Sequence, residues 1–208
     1  MLDVDIEQFW KDEETHADFY CYYPYVETIG NVSALPVNVR ADQSALNSYK
    51  SSDYLWGKTE DATPDGNPVD IQVRHKMSKL VIKIEPGIGY TYETLWQDIK
   101  SIRILNLVCG ATMDLNTGSV TLSGTACDMI PYSKDDNCSA FVVPQVVEDS
   151  ELIRVELSDR SCTLIQSMEF KSGTQHTCTL KINKLSEGVN ITIGGWENDD
   201  TDYGDTLD

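Results

Sequence analysis

From Val69 onward the apolar positions of the chain recur with a period of two. Val69, Ile71, Val73, His75 and Met77 fall on one phase, and Leu80, Ile82 and Ile84 on the other. Alternation of this kind sends one set of side chains to a core and its complement to water, so these runs read as strands. The change of phase between them predicts a bulge near Ser78–Lys79 or a strand that moves between sheets, and Pro86-Gly87 ends the run. Further strands are expected at Ile99–Val108, Ala111–Leu115, Ser119–Leu122, Ala140–Val143, Ile153–Leu157, Met168–Lys171, His176–Leu185 and Val189–Gly195. Two pairs read as hairpins, one turning at Asn116-Thr117-Gly118 and one around Ser186-Glu187-Gly188.

The first part of the chain is less regular. The stretch to about Gln8 reads as a strand or an irregular lead-in. Ala17–Tyr25 is dense in aromatic residues and suits a half-buried strand, with Pro24 ending its regular pairing. Val37–Val39 is a short strand. Asp42–Tyr49 and Tyr92–Ile99 are the two helical candidates, Asp42 and Ser44 serving as caps and Leu46, Tyr54, Leu55 and Trp56 as anchors. The segment KTEDATPDGNP at 58–68 has the strongest turn chemistry in the chain and marks the expected boundary. Short strands broken by turn residues at this spacing point to an antiparallel β-sandwich rather than an α/β fold.

Composition narrows the function. The 208 residues carry 16 Lys and Arg against 34 Asp and Glu, a formal net charge of -18, with no basic cluster. Such a chain repels phosphate backbones, so nucleic acid is excluded as an expected partner. No window approaches the roughly twenty apolar residues that span a bilayer. The N-terminus has acids where a secretory signal has a basic patch and an apolar stretch. Taken literally that places the chain in the cytoplasm; a trimmed or late start explains it equally well. The cysteines Cys21, Cys109, Cys127, Cys138, Cys162 and Cys178 permit up to three disulfides and include no C-x-x-C pair. Cys162 and Cys178 could face each other on neighbouring strands, and buried free thiols are an equal alternative.

No constellation in the sequence carries catalysis, a cofactor or a metal. His16, His75 and His176 sit in no nucleophile motif. His75 lies on an apolar phase and reads as structural, and His176, at the start of a strand, as a surface or edge residue. A Cys178–His75 pair stays open, with nothing to single it out. Carboxylates are too many for any pair to be informative. The G-I-G-Y at Gly87–Tyr90 lacks the glycines and lysine of a phosphate loop. The tail with Asn198, Asp199, Asp200, Asp202 and Asp205 lacks calcium-loop spacing and reads as solvated. The sequons at Asn31, Asn137 and Asn190 are of a frequency expected by chance. Phe19, Tyr20, Tyr22, Tyr23 and Tyr25 form either a carbohydrate-stacking platform or core packing, and Trp56 and Trp196 are expected to be anchors.

Several segments, in order, resemble the fimbrillin-like proteins of gut and oral Gram-negative anaerobes, the major and minor fimbrium subunit group. FYCYYPY at Phe19–Tyr25 is similar to the family's Y-x-Y-x-P strand. DQSAL and then SSDYLWG at Ser51–Gly57 resemble its D-Q... D-L-L-x-A block. VDIQVRHKMSKLVIKIEPG at Val69–Gly87 is close to V-x-L-x-F-x-H-x-L-S-K-L, with His75 in the place of its His and Lys79 and Leu80 at its end. The segment MEFKSGTQHTCTLKINKLSEGVNITIGGWEND resembles the closing hairpin, with Trp196 in the terminal place.

The resemblance implies two transthyretin-like β-sandwich domains, export as a lipoprotein to the outer membrane, and a place in surface fimbriae. It also implies polymerisation by exchange of a strand between subunits. The expected division is a partial N-terminal β domain at 1–68, a C-terminal sandwich at 69–197 and an acidic tail at 198–208. The lipobox and signal of the family are missing, so any membrane contact would run through a lipid anchor that this chain lacks.

The expected partners are other fimbrial subunits, with a host or bacterial surface protein or glycan as a further class. The candidate exchange edges are Val4–Phe9 and Val189–Trp196, with Val4, Ile6, Val189, Ile191 and Ile193 as their apolar positions. The alternative is a carbohydrate-binding sandwich using Tyr20, Tyr22, Tyr23 or Trp56 as a stacking surface. A hydrolase built on a Cys or an acid pair is third.

Overall fold

Strand-forming runs punctuated by Gly, Pro, Asn and Asp leave room for only short helices. The computed structural model describes residues 9–134 and 137–184, together with the backbone of 190–192. Among these residues the order is β1 (Ala17–Tyr23), β2 (Leu35–Asn38), α1 (Leu46–Lys50), β3 (Leu55–Ala62), β4 (Arg74–His75), β5 (Ser78–Pro86), α2 (Tyr92–Asp98) and β6 (Ile99–Val108). There follow β7 (Gly110–Asp114), β8 (Ser119–Leu122), β9 (Ala126–Met129), β10 (Tyr132–Lys134), β11 (Asn137–Val142), β12 (Gln145–Leu157), β13 (Ser161–Phe170), β14 (Gln175–Ile182) and β15 (Asn190–Thr192). The sheets run β1-β3-β4, β10-β11-β5-β14-β15, β13-β12-β6-β9 and β2-β7-β8. The fold is mostly β, an antiparallel sandwich with no closed barrel. Within the named sheets one pairing is parallel, that of β14 with β5.

The core follows from the alternation. Along β5 Leu80, Ile82 and Ile84 point inward, and along β14 Cys178, Leu180 and Ile182 do the same. They join Ile102, Ile104 and Leu107 of β6 and Ile153, Val155 and Leu157 of β12 in one apolar cluster. That cluster also takes in Leu35 and Val37 of β2 and Met113 of β7. Each fully buried aliphatic side chain of this kind contributes about 1.5–3 kcal/mol.

Two buried glutamines act as short substitute strands. Gln43 donates from Nε2 to the carbonyls of Arg40 (3.0 Å) and Phe141 (2.8 Å), while its Oε1 accepts from the Phe141 amide (2.9 Å). Its side chain thereby pairs with β11 as a neighbouring backbone would. Gln145 does the same where β12 begins, bonding the Val108 amide and carbonyl at 3.0 and 3.1 Å and the Val143 carbonyl at 3.0 Å.

The change of phase before Ser78 is a change of sheet: β4 belongs with β1 and β3, and β5 is the middle strand of the five-stranded sheet. The hairpin at Asn116–Gly118 and both helices stand close to their predicted positions. Other elements depart from expectation. Strand β3 runs to Ala62, into the turn-rich stretch, because β1 offers it partners as far as Ala17↔Ala62. Residues 63–73 then form a loop between β3 and β4, which pair through Leu55↔His75 and Trp56↔Arg74. Strands β12 and β13 are longer than their apolar runs, since shifts between Val147 and Ser150 and between Glu151 and Ile153 break the period of two. The strands β9 and β10 are too short, at four and three residues, to show a period.

Cys162 and Cys178 lie in different sheets. The disulfide instead joins Cys109 to Cys127, tying the β6–β7 junction to the edge strand β9; Cys138 and Cys178 are buried free thiols. Replacing Gln43 with Leu keeps the volume and strands the Phe141 amide and carbonyl without partners. Unfolding in urea is expected to show a loss of about 2–4 kcal/mol, from two buried groups at 1–3 kcal/mol each.

Candidate functional site

The aromatic residues of β1 divide between its two faces. In the register with β3, Tyr20 lies opposite Lys58, Tyr22 opposite Trp56 and Tyr23 opposite Leu55. Tyr20, Tyr22 and Trp56 therefore share one face, and Tyr23 belongs to the other. Tyr20 and Tyr23 are 43% and 38% exposed, whereas Tyr22 and Trp56 pack against the core.

The Trp56 ring is occupied on several sides. Its Nε1 donates to the Leu115 carbonyl at 2.8 Å, and the Lys76 Nζ stands 5.0 Å from the ring centroid. Gly118, at φ +68°, lies so close beneath it that a Cβ there would come 2.4 Å from Trp56 Cε3. Trp56 thus anchors the β7–β8 turn to the small sheet.

The edges of the sheets differ in how they are finished. β2 has β7 on one side only. On its open side Pro36 has no amide hydrogen to offer. The Asn38 amide donates to the Tyr54 hydroxyl at 3.1 Å, and that hydroxyl lies 3.5 Å from the Asn38 carbonyl. Two residues further on, the Arg40 amide donates to Ser52 Oγ at 2.9 Å. Side chains hold the positions that an incoming strand would need. A groove of about 180 Å³ runs beside this edge, lined in part by Pro24, Tyr25, Arg40 and Tyr54. Pro36 is the signal in the sequence for such an edge; the role of the Tyr54 hydroxyl has none.

At the other extreme β15 is, among the described residues, the last strand of the five-stranded sheet, pairing Asn190, Ile191 and Thr192 with Lys181, Leu180 and Thr179 of β14. Of the five predicted exchange positions, Ile191 is placed by its backbone, and Val4, Ile6, Val189 and Ile193 lie outside the described residues. The chain leading to β15 leaves a fixed point. Arg160 donates to the carbonyls of Asn183 (2.5 Å) and Lys184 (3.0 Å). Asn183 Oδ1 accepts from the Ile88 amide at 2.7 Å, and the Lys184 amide donates to the Ile88 carbonyl at 2.9 Å. Nearby the Tyr90 hydroxyl donates to Asp98. Burial and that carboxylate push the Tyr90 phenol up to about 12, and hydrogen bonds from Ser158 and Tyr90 hold Asp98 at about 2.

The groups with chemical potential are spread out. His75 meets Asp53 at 2.8 Å, tying β4 to the segment after α1, and His16 meets Asp61 at 2.5 Å. His176 departs from its expected surface position: it is 4% exposed, its ring edge-on to Phe170 at 5.3 Å and its Nε2 2.9 Å from Thr174 Oγ1. The reason is register, since His176, Cys178, Leu180 and Ile182 share the inward face of β14. Burial pushes the Cys178 thiol up to about 11 and raises that of Cys138, which keeps both protonated and unreactive near neutral pH. Among the described residues no group of three His, Cys, Asp or Glu side chains is set to hold a metal ion, and no helix is long and apolar enough to cross a membrane.

A family model described as fimbrillin-like matches residues 4–196. Among solved structures, the fold is similar to a candidate cell adhesion protein of Bacteroides uniformis, at a TM-score of 0.71 and 24% identity, over 87% of this chain and 72% of that one. It is also similar to one from Bacteroides ovatus, at 0.69 and 17% identity over 89% and 69% of the two chains. A third, from Bacteroides thetaiotaomicron, gives 0.51 and 16% identity over 82% and 66%. These likenesses concern the fold. No curated protein matches the chain.

Two outcomes test this description. Tyr54→Phe strips the cap from Asn38; the variant is expected to lose about 1–2 kcal/mol and to self-associate more readily in light scattering, while Tyr20→Phe changes neither. Burial, reinforced by Lys171, holds the folded pKa of His176 below its unfolded value. Stability is therefore present above the unfolded pKa of about 6.5 and is lost as pH falls through it, because the unfolded chain takes up the proton first. Urea midpoints from pH 7.5 down to 5.5 should fall further for the native chain than for His176→Gln.

Proposed function

The chain belongs to the fimbrillin-like family, and from that membership we propose that it is a non-catalytic component of surface fimbriae, structural or accessory at tip or anchor, joined to its neighbours by exchange of a β-strand. The observation that carries the proposal is the contrast between edges. The β2 edge is closed by Pro36, Tyr54 and Ser52, whereas β15, paired with β14 at Asn190, Ile191 and Thr192, stands last in the five-stranded sheet among the described residues. A strand added at a sheet edge gains affinity from backbone hydrogen bonds and specificity from alternate side-chain pockets. The inward row of β14 (His176, Cys178, Leu180, Ile182) belongs to the core that a replacement strand would complete. Its partners are other fimbrial subunits and, at a tip, a host or bacterial surface protein or glycan. It works at the cell surface, reached through a lipid anchor.

The fold of the Bacteroides uniformis adhesion protein favours adhesion as the setting. The glycan-stacking alternative on Tyr20, Tyr22, Tyr23 and Trp56 has less support, because Trp56 is engaged with Leu115, Gly118 and Lys76.

Sedimentation of the full chain, of a chain lacking residues 1–8 and of one ending at residue 188 tests strand exchange. Oligomers that one of the two truncations abolishes, and that a peptide of the missing segment competes away, are the expected result. Unchanged self-association in both truncations would mean that neither segment is the exchanged strand.

A further inference from the structure

The lysines are not scattered evenly over this acidic chain. The outer face of the five-stranded sheet is formed by Lys79, Val81, Lys83 and Glu85 on β5, and by Gln175, Thr177, Thr179 and Lys181 on β14. Asn137, Ser139 and the buried Phe141 on β11 and Tyr132 and Lys134 on β10 complete it. Tyr49 of α1 covers the β10–β11 side of this face, stacking on Tyr132 at 5.1 Å and packing against Phe141 at 4.8 Å, while Lys83, Glu85, Lys134 and Lys181 remain exposed. The face has four lysines against a single described carboxylate, Glu85, in a protein of net charge -18. Register draws the charges together: Lys83 lies between Asn137 and Thr179 on its neighbours, and Lys181 is opposite Glu85. Lys83, Lys134 and Lys181 make no ion pair with a carboxylate among the described residues.

The opposite charge gathers around the far end of the β1–β3 pair. Asp12, Glu13, Glu14, Asp18, Glu60 and Asp61 are all exposed, against Lys11, Lys58 and His16. The group is built rather than loose. Asp12 accepts from the Glu14 and Thr15 amides at 3.0 and 2.6 Å, and the Asp61 amide donates to Asp18 at 2.9 Å. Lys58 meets Glu60 at 2.6 Å and so neutralises only part of the cluster.

We propose that the lysine-bearing outer face of the five-stranded sheet docks the acidic β1–β3 end of a second copy of this chain. Two different patches meeting in this way make a heterologous, head-to-tail contact, which propagates into a line of subunits instead of closing a dimer. The inference rests on the fimbrial reading and adds to it: strand exchange supplies the bond, and complementary charge sets which copy is met and in what orientation.

Charge-swap complementation decides it, with full chains in sedimentation velocity at low salt. One variant carries Lys83→Glu and Lys181→Glu; the other carries Glu13→Lys, Glu14→Lys and Glu60→Lys. Circular dichroism and urea unfolding check that both fold. Each alone is expected to associate at least tenfold more weakly than the native chain. An equimolar mixture restores association, because each altered patch meets its altered complement. About 1 M salt, where the screening length is near 3 Å, weakens the native chain and the mixture alike.

Variants that assemble as well as the native chain, or a mixture that stays as weak as its parts, overturn the inference while leaving strand exchange standing. A native chain that is monomeric at every concentration and salt overturns both. If the lysine variant behaves differently from the native chain only while residues 197–208 are present, the face serves the chain's own acidic tail and the second-copy assignment is wrong.

Discussion

The structure depends on the placement of one strand, β5, between β11 and β14. Its inward Leu80, Ile82 and Ile84 are at most 2% exposed, so they can stand only where apolar neighbours surround them. β14 pairs with it in parallel over eight positions, from Gln175↔Lys79 to Ile182↔Pro86. A parallel neighbour cannot follow through a tight turn. The chain must first build β6 to β13, which include the whole opposing four-stranded sheet, before β14 can come back to complete the central pair. Most of the entropy of ordering is spent before this contact rewards it, which is the situation of slow, non-local folding.

That arrangement explains why polar side chains are built into the interior. Where the chain leaves the ladders around β11 and the start of β12, backbone groups are buried without a strand to satisfy them, and Gln43 and Gln145 supply both a donor and an acceptor in place of one. The Tyr54 hydroxyl plays a related part at the surface, holding the outward amide of Asn38. At this edge side-chain hydrogen bonds and a proline withhold the backbone groups that an added strand would need.

Much of this fold could be read from period alone. The β5 and β7 runs alternate cleanly because one face is buried along their length, and Asp114, Asn116 and Gly118 fix the turn from β7 into β8. The change of phase near Ser78–Lys79 left a bulge and a change of sheet as alternatives, and the structure takes the second. The rest was hidden for identifiable reasons. β3 beyond Lys58 consists of residues that favour turns, and tertiary pairing with β1 outweighs them. β12 and β13 carry bulges that scramble the alternation, including Asp149 at φ +41°. His176 starts its strand in sequence yet lies inside, because the phase of β14 is set by Leu180 and Ile182 further along. Of the candidate site, the aromatic set was legible as a set. Its division between two faces follows from the period of two; which residues of β3 lie opposite depended on a pairing that the turn-rich composition concealed.

The large negative charge and the edges belong to one argument. At -18 the chain repels its own kind at a distance, which opposes indiscriminate sheet-to-sheet association of exposed edges such as β13, where Ile165 is 61% exposed. Repulsion of that sort does not select a partner; it only raises the threshold for meeting one. Backbone hydrogen bonds at an edge do not select either, since every strand has them. Selection has to come from features that differ between edges and between faces: a hydroxyl that closes β2, a proline that withholds a donor, and lysines held on one sheet face in an otherwise acidic molecule. In this protein the interior explains why the chain folds, and its margins are where one edge or face differs from the next.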